Sequence, residues 1–570
     1  MKNQIISNMF EKIADILEIQ GESPFKVNAY RRASRVILEL NENIETLVED
    51  NRLGDLPGIG DALEKKIEEY LSTGTMKKYE EVTSEISPDL LEMLKIQNLG
   101  PRTISMLHKK LGIENIPQLE KAIVEDTLLD LPGMGKKKVE NIRRGLELYI
   151  NSTERISIGA AYPIVERITS ELKSKTSLDK ISTAGSVRRM RETAGDIDIL
   201  VASEDQKSII DAFTGLDIVE HILGAGETKA SVIVDGGRQV DLRVVQPFSF
   251  GAALQYFTGS QAHNVKLRGI ARKRGYKINE YGIYKDNERV GGETEEDIYE
   301  ALGLVWIPPE MREDRGEIEA AATGKIPELI TLKDIRGDLH MHSLYSDGTA
   351  SIEDMAKAAK DLGYEYIAIC DHSHVASYAR GLSEERILTE IEEIKDLNQK
   401  MKDIKILAGS EVDILSDGTL DFSDDILKKL DFVIASIHIG FKGDVTTRIL
   451  TAMDNPYVDL IAHPTGRIIN RRDAYDIDLN AIFKKAAATG VALEINAHPD
   501  RLDLSDVNVR KAAEMNVMIV INTDSHRPDN LTNMIFGVGN ARRGWLTPQN
   551  VLNTKSYEEL RTWKNNRKRK

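Results

Sequence analysis

The chain has 570 residues, 41% hydrophobic and 29% charged, with one cysteine and a formal net charge of −16. That length exceeds a single core and implies three to four domains, while the lone Cys370 excludes a disulfide framework and fits a reducing, cytoplasmic setting. The acidic balance excludes a protein that coats nucleic acid through overall charge, and no apolar run approaches the roughly 20 residues of a membrane span.

Met1 to Glu18 alternates apolar and charged residues at helical spacing, which is not a signal-peptide pattern. Helical periodicity with short loops continues to about Ile150. Within it, Leu56-Pro57-Gly58-Ile59-Gly60 and Leu131-Pro132-Gly133-Met134-Gly135 each open a lysine-bearing helix, with a degenerate copy at Asn98-Leu99-Gly100-Pro101. Glycines there allow a tight turn whose N–H groups, with the next helix's N-terminus, face a phosphate oxygen. Such contacts hold a nucleic acid without reading its sequence. In one copy Pro-Gly-x-Gly can merely cap and turn helices; the recurrence resembles helix-hairpin-helix motifs, with Gly58, Gly60, Gly100, Gly133 and Gly135 against the DNA backbone. Asn98 stands in for the first glycine of the middle copy, and Asn tolerates the left-handed conformation.

From about Thr153 to Gln246 the pattern turns to mixed helix and strand. An amphipathic helix around Ala161 to Lys173 precedes the stretch Gly185 to Leu200, which sets a Gly-Ser turn beside a basic cluster and then Asp196 and Asp198 in an apolar run. Residues i and i+2 of a strand face one side, and neighbouring carboxylates make most sense around hard cations such as Mg2+. Asp241, inside the alternation Arg238 to Val245, adds a third. Three carboxylates beside such a turn suit two-metal nucleotidyl transfer; the bland alternative is a surface strand with acidic positions. Phe248 to about Ile307 reads as mainly helical with a short hairpin, and includes Tyr256-Phe257-Thr258-Gly259-Ser260.

These stretches, with Phe25-Lys26-Val27-Asn28-Ala29-Tyr30-Arg31-Arg32-Ala33 and Lys65-Lys66, resemble family X DNA polymerases (polymerase beta-like) over the chain up to about Trp306. By that resemblance the three aspartates bind Mg2+ or Mn2+ and Asp241 also helps activate a primer 3′-hydroxyl. Gly185, Ser186 and Arg189 hold the triphosphate of an incoming dNTP, with Arg188 a solvated neighbour. Tyr256, Phe257 and Gly259 close over the sugar, Asn264 meets the base and Arg268 the template strand. Lys66 falls at the Schiff-base position of the 5′-deoxyribose-phosphate lyase and Lys26 at a 5′-phosphate contact, although Ala62 and Phe25 replace polar residues of that pocket. Gln261 stands where animal relatives carry Asp.

Eight of the eleven histidines lie between His340 and His526. There, short apolar runs alternate with amphipathic helices and end in Asp338-Leu339-His340-Met341-His342, Cys370-Asp371-His372, Ser410-Glu411, Ile437-His438, Ala462-His463, Glu494-Ile495-Asn496 and Asp524-Ser525-His526. Parallel barrels gather polar residues at the carboxyl ends of their strands. The set resembles the PHP (polymerase and histidinol phosphatase) domain of bacterial or archaeal family X enzymes. By resemblance its ligands are His340, His342, Asp347, His372, Glu411, His438, His463, Asp524 and His526. They would hold three divalent ions, Zn2+ and/or Mn2+, bridged by Glu411, for phosphoester hydrolysis. Asp371, His374, His498 and Arg501 adjoin ligands, and Arg567 to Lys570 reads as a free basic tail.

The expectation is a multidomain chain. A helical helix-hairpin-helix N-terminal region leads to an α+β nucleotidyltransferase palm with a helical subdomain, then a C-terminal distorted (β/α)7 barrel. The boundaries expected are 1–88 and 89–152 for the helical parts, 153–246 for the palm, 247–316 for nucleotide selection, 317–334 for a largely helical linker and 335–570 for the barrel. The expected activity is gap-filling DNA synthesis in repair by a cytoplasmic monomer, on gapped or primer-template DNA and without a membrane. The barrel adds 3′-5′ exonuclease cleaning and extends to abasic-site cleavage. Rival readings are a small-molecule phosphatase with a nucleotidyltransferase-like appendage and a non-catalytic DNA-end scaffold.

Overall fold

The computed structural model describes residues 2–39, 44–49, 52–56, 59–84, 86–96, 99–153 and 155–567. The chain forms two compact units, Met1–Glu154 and Arg155–Lys570. No described helix is long and apolar enough to cross a membrane.

The first unit is helical throughout its described residues, as the periodicity predicts. One apolar core draws on the helices Lys2–Gln20, Pro24–Glu39 and Asp61–Thr73 through Phe10, Leu17, Tyr30, Ile37 and Ile67. A second gathers Leu90, Met93, Ile104, Leu107, Leu119 and Ile142, and Ile19 of the first helix reaches it. Asp61–Thr73 and Pro101–Leu111 end on left-handed Gly74 and Gly112, the usual way to satisfy a helix's last carbonyls.

The second unit opens with a mixed five-stranded sheet in the order Lys180–Thr183, Ile197–Ala202, Arg238–Val245, Lys229–Val234, Val219–Ala225. Strict alternation decides its faces. Val240, Leu242 and Val244 pack under the helices Ile158–Lys175 and Gln206–Thr214, so Asp241 points to the opposite face. There Leu200 and Ala202 meet Phe250, Ala253 and Leu254 of the helix Phe250–Thr258. The segment that follows holds the helices Gln261–Lys273 and Glu295–Ala301 around an antiparallel sheet, Tyr276–Asn279, Gly282–Lys285 and Glu288–Gly291, one strand more than the expected hairpin.

The helical linker expected over 317–334 needs correction. Glu317–Ala322 is a short helix whose Ile318 and Ala321 join the preceding segment's core, and the only further regular turn is Leu332–Asp334. Polar Thr323-Gly324-Lys325 and Pro327 break the periodicity that would continue a helix.

Seven parallel strands follow in sequence order: Gly337–Met341, Tyr366–Ile369, Lys405–Asp413, Phe432–Ser436, Leu460–Ile461, Ala492–Asn496 and Ile519–Asn522. A parallel bridge between Met341 and Ser525 brings the last strand's end to the first, and Leu339 N–H donates to Asn522 Oδ1 at 3.0 Å. The strands are buried on both faces, as parallel strands are when helices surround them. The terminal helix Tyr557–Arg567 packs Leu560 and Trp563 on the inner core beside Phe432 and Leu460. Arg567 is therefore not part of a free tail: with Lys564 it pairs with fully buried Asp459, at 2.6 and 2.7 Å. Residues 568–570 lie outside the described residues. Leu502 and Phe536 of the barrel complete the core of the five-stranded sheet, and Phe536 meets Tyr162 edge-on at 5.6 Å.

Candidate active sites

Asp198 and Asp241 are direct register partners on the parallel strands Ile197–Ala202 and Arg238–Val245. Asp196 sits one residue ahead of its strand, yet the three carboxylates offer oxygens within 4.8 Å of one another. Burial, then the charges of Asp196 and Asp241, push the Asp198 carboxyl up to about 7. An all-oxygen set strained by mutual repulsion is what a hard divalent cation relieves. Two residues unremarked in the sequence aim Asp241: Gln239 Nε2 donates to its Oδ1 at 3.1 Å, and Lys229 Nζ lies 3.3 Å from its Oδ2.

The Gly-Ser turn is built against this cluster. Ala184 N–H bonds the Asp198 carbonyl at 2.8 Å, and Gly185 begins a single helical turn with φ of 58°. A Cβ on Gly185 would lie 2.1 Å from Asp198 Oδ2, so glycine is required for the turn to approach the carboxylate. Ser186 follows, half-buried. Arg189 Nε donates to Glu313 at 3.1 Å and its Nη1 to the Thr258 carbonyl. Arg188 is not solvated as expected. It forks onto Glu295 with two bonds of 2.7 Å and also bonds the Thr258 hydroxyl at 2.6 Å.

Tyr256 and Phe257 end the helix Phe250–Thr258, half-buried, with rings edge-to-face at 5.1 Å. The Arg268 guanidinium lies 5.9 Å from the Tyr256 ring centre and that of Arg243 4.5 Å from Phe257. Asn264 accepts from Gln255 at 2.8 Å and donates to the Tyr256 carbonyl at 2.7 Å, pinning that helix end. Gly259 takes φ of 73° beyond it.

In the first unit, Gly60 and Gly100 cap the helices Asp61–Thr73 and Pro101–Leu111. Gly133 is left-handed at φ 77°, and Gly135 accepts the first bonds of the helix Lys136–Thr153. A Cβ at any of these four would meet nothing within 4 Å, so packing does not demand glycine there, although the left-handed backbone of Gly133 does. Gly58 and Asn98 lie outside the described residues. Lys66 donates to the Ala62 carbonyl at 2.8 Å, and burial, with Lys78 nearby, lowers its pKa against the pull of Glu69. Lys26 is exposed and paired with Glu22 at 3.1 Å.

The barrel draws all nine expected ligands to the carboxyl end of its strands. His342, Asp347, His372 and His526 form one group with mutually close donor atoms, His340, His342 and Asp524 a second, and His372, Glu411 and His438 a third. His463 Nε2 joins Glu411 at 2.9 Å. His340 Nε2, His342 Nδ1, His372 Nδ1 and His463 Nδ1 are buried without a hydrogen-bond partner. Buried orphaned nitrogens are costly, and beside acceptor-only carboxylates they fit metal ions. Burial pulls His438 down, but Glu411 and Asp413 push it up to about 10; burial, with His342 and His438, takes His372 down to about 3.

A further set of buried acids orients these ligands. Glu494 Oε1 accepts from His340 Nδ1 at 2.8 Å and its Oε2 from the His463 N–H at 2.7 Å, while Asp413 lies 3.2 Å from His438 Nδ1. Glu494 ends one of the strand runs visible in the sequence, and that position was its only signal. Asp371 accepts from the Ser343 N–H at 2.8 Å, and Arg501 Nε lies 3.9 Å from Asp524.

Family models match in the same order as these sites. A helix-hairpin-helix domain matches residues 1–76, a SAM-like helix-hairpin-helix tandem 90–147, the DNA polymerase beta thumb 253–313 and the PHP domain 338–498. The DNA polymerase/3'-5' exonuclease PolX of Bacillus subtilis (strain 168) is 40% identical over 98% of this chain and 99% of its own length. DNA polymerase lambda of Arabidopsis thaliana is 24% identical over 54% of this chain and 62% of its own. A probable phosphatase of Thermoanaerobacter sp. (strain X514) is 32% identical over 38% of this chain and 89% of its own.

Proposed function

The chain belongs to the family X DNA polymerases that carry a C-terminal PHP domain, and on that premise we propose that it extends a DNA 3′ end at the sheet and trims it at the barrel. It is a DNA polymerase with a fused phosphoesterase domain. The observation that carries the first half is the side-by-side pair Asp198 and Asp241, closed by Asp196 and abutted by the Gly185 turn.

The three aspartates would hold Mg2+ or Mn2+, and the nine barrel ligands three ions, Zn2+ and/or Mn2+. When bound, such ions supply Lewis-acid chemistry, acidifying the attacking hydroxyl and neutralising charge on the phosphates. The protein does the rest. Gly185 and Ser186 bring backbone and hydroxyl to the β- and γ-phosphates, and Arg189 adds a planar fork. Asp241, aimed by Gln239 and Lys229, receives the proton of the primer 3′-hydroxyl. The backbone of Tyr256 to Gly259 faces the sugar and crowds a 2′-hydroxyl. Asn264 keeps a second amide hydrogen for the base, and Arg268 serves the template strand.

The glycine turns of the helical unit grip backbone phosphates of gapped or primer-template DNA. Lys26 takes a 5′-phosphate. Lys66, lowered by burial, supplies the amine for a 5′-deoxyribose-phosphate lyase step. In the barrel, the nine ligand side chains gathered at the strand ends, with partnerless buried imidazole nitrogens among them, support 3′-5′ cleavage, and the reading extends to abasic sites. The setting is base excision repair by a cytoplasmic monomer.

A small-molecule phosphatase needs no phosphate-gripping turns, and a scaffold needs neither set of metal ligands. The deciding experiment is primer extension on gapped DNA. Asp198→Ala abolishes it in this reading; if that variant extends as well as the parent, the polymerase site lies elsewhere.

A further inference from the structure

A run of contacts crosses from the barrel into the turn assigned to the triphosphate. The barrel helix Met534–Arg543 ends on Arg543, whose side chain is 3% exposed. Its Nη1 donates to the Arg189 carbonyl at 2.8 Å and to Glu313 at 2.9 Å, and its Nη2 to Asp506 at 2.8 Å. Glu313 in turn accepts from Arg189 Nε and lies 3.8 Å from Arg191 Nη1. Farther back on the same helix, a Cβ on Gly539 would sit 2.6 Å from Met190 Cε, so glycine there is what admits the Met190 side chain.

Met190 has φ of 51°, a left-handed conformation that a non-glycine residue keeps only when its surroundings impose it. The barrel supplies a bond to the preceding carbonyl and a close fit on Met190, and Glu313, from the segment ahead of the barrel, is shared between Arg543 and Arg189. Arg543 is itself locked, because its fork is spent on two carboxylates and a carbonyl in a buried setting. Thr258 completes the clamp by accepting from Arg189 Nη1 on the side of the sugar-facing segment.

We infer that Arg543, a barrel residue outside both metal clusters, is a positioning residue for nucleotidyl transfer: it sets the Arg189 backbone and, through Glu313, the guanidinium that receives the triphosphate. This rests on the proposed role of Arg189 as a triphosphate contact. The barrel then serves the polymerase reaction structurally, whatever its own hydrolysis does.

Single-nucleotide extension by the full chain tests this. Arg543→Met should raise KM for the dNTP roughly tenfold, the scale of a lost charge-assisted bond, with kcat within about twofold, KM for DNA unchanged and 3′ trimming intact. Arg543→Lys should recover part of the loss. Arg189→Met should raise KM at least as much, and the double variant should be no worse than Arg189→Met alone, since both act through one guanidinium. A fully additive double variant, or an unchanged KM in Arg543→Met beside a raised one in Arg189→Met, overturns the positioning role and leaves the Arg189 contact standing. An unchanged KM in Arg189→Met overturns the contact itself. Should Arg543→Met fail to fold, Gly539→Ala, which displaces Met190, must show the same selective rise in KM; a normal KM there refutes the clamp.

Discussion

Arg312 has no exposed surface, and its guanidinium forks onto Glu295 at 2.6 and 3.1 Å. The same carboxylate receives the Arg188 fork, so one acid joins the turn that begins at Gly185, the helix Glu295–Ala301 and the segment after Pro308. Burial opposes ionisation of Glu295, but Arg312 and Arg188 outweigh it and hold the carboxyl from 4.5 down to about 2. A depressed folded-state pKa gives stability that is complete above the unfolded value, near 4.5, and is lost as pH falls through about 2. That gap corresponds to roughly 3 kcal/mol.

Glu295→Gln should therefore lower the stability of the Arg155–Lys570 unit by about 3 kcal/mol, because two largely buried guanidinium groups lose their counter-charge. Thermal unfolding followed between pH 5 and pH 2, roughly the linkage window, should show a shallower acid slope in the variant. An unchanged melting temperature would falsify the account of Glu295 as the shared anchor.

Gly185→Ala should separate turn geometry from folding. The added Cβ meets Asp198 Oδ2 at 2.1 Å and the residue sits at φ 58°, so the turn or the carboxylate must move by an ångström or more. Displacement of that size costs on the order of 100-fold in rate. Extension should fall to that extent while 3′ trimming by the barrel stays normal. Extension at the parental rate would mean that the turn does not form part of the reacting geometry.

Metal removal should act on the two sites differently. The barrel buries orphaned imidazole nitrogens on four histidines, whereas the sheet cluster includes exposed Asp196. Chelation should thus lower the barrel's melting temperature as well as abolish trimming. Restored Mn2+ or Zn2+ at about 100 times its Kd should return roughly 2.7 kcal/mol. Calorimetry with and without the ion measures this. His342→Ala should lose both the trimming and the metal-dependent rise while keeping extension; a full rise in that variant would remove His342 from the ligand set.

What the sequence disclosed and what it hid follow from the range of the forces. The Gly-Ser turn, the paired aspartates and the histidines at strand ends are local patterns, and those residue types are expensive in any other buried role. The roles that stayed hidden depend on partners far away in the chain. Arg188 read as solvated because its neighbours are charged, yet its partner Glu295 is 107 residues on. Lys229 aims Asp241 across a strand diagonal, and Glu313 and Arg543 meet Arg189 only when the later segments pack against the sheet. The connector differs for a local reason: an alanine-rich run has helical propensity, but left-handed Gly324 and then Pro327 end the helix after Ala322.

Glu494 gives the sharpest test of the proposed metal binding in the barrel. It has no exposed surface and touches two ligand residues at once, through His340 Nδ1 and the His463 backbone N–H. Its bond to His340 Nδ1 leaves Nε2 as the nitrogen offered to the cluster, the one that lacks a partner. Glu494→Gln keeps the size of the side chain but weakens that orienting pull, and supporting carboxylates of this kind are worth about 10- to 100-fold in metal affinity. Trimming by this variant should therefore be lost at low metal and restored by excess Mn2+ or Zn2+, whereas His342→Ala should not be rescued. Titration of the apo-protein followed by calorimetry reads the affinity directly. An affinity equal to the parent's would show that the His340 tautomer is set by the protein backbone and not by Glu494.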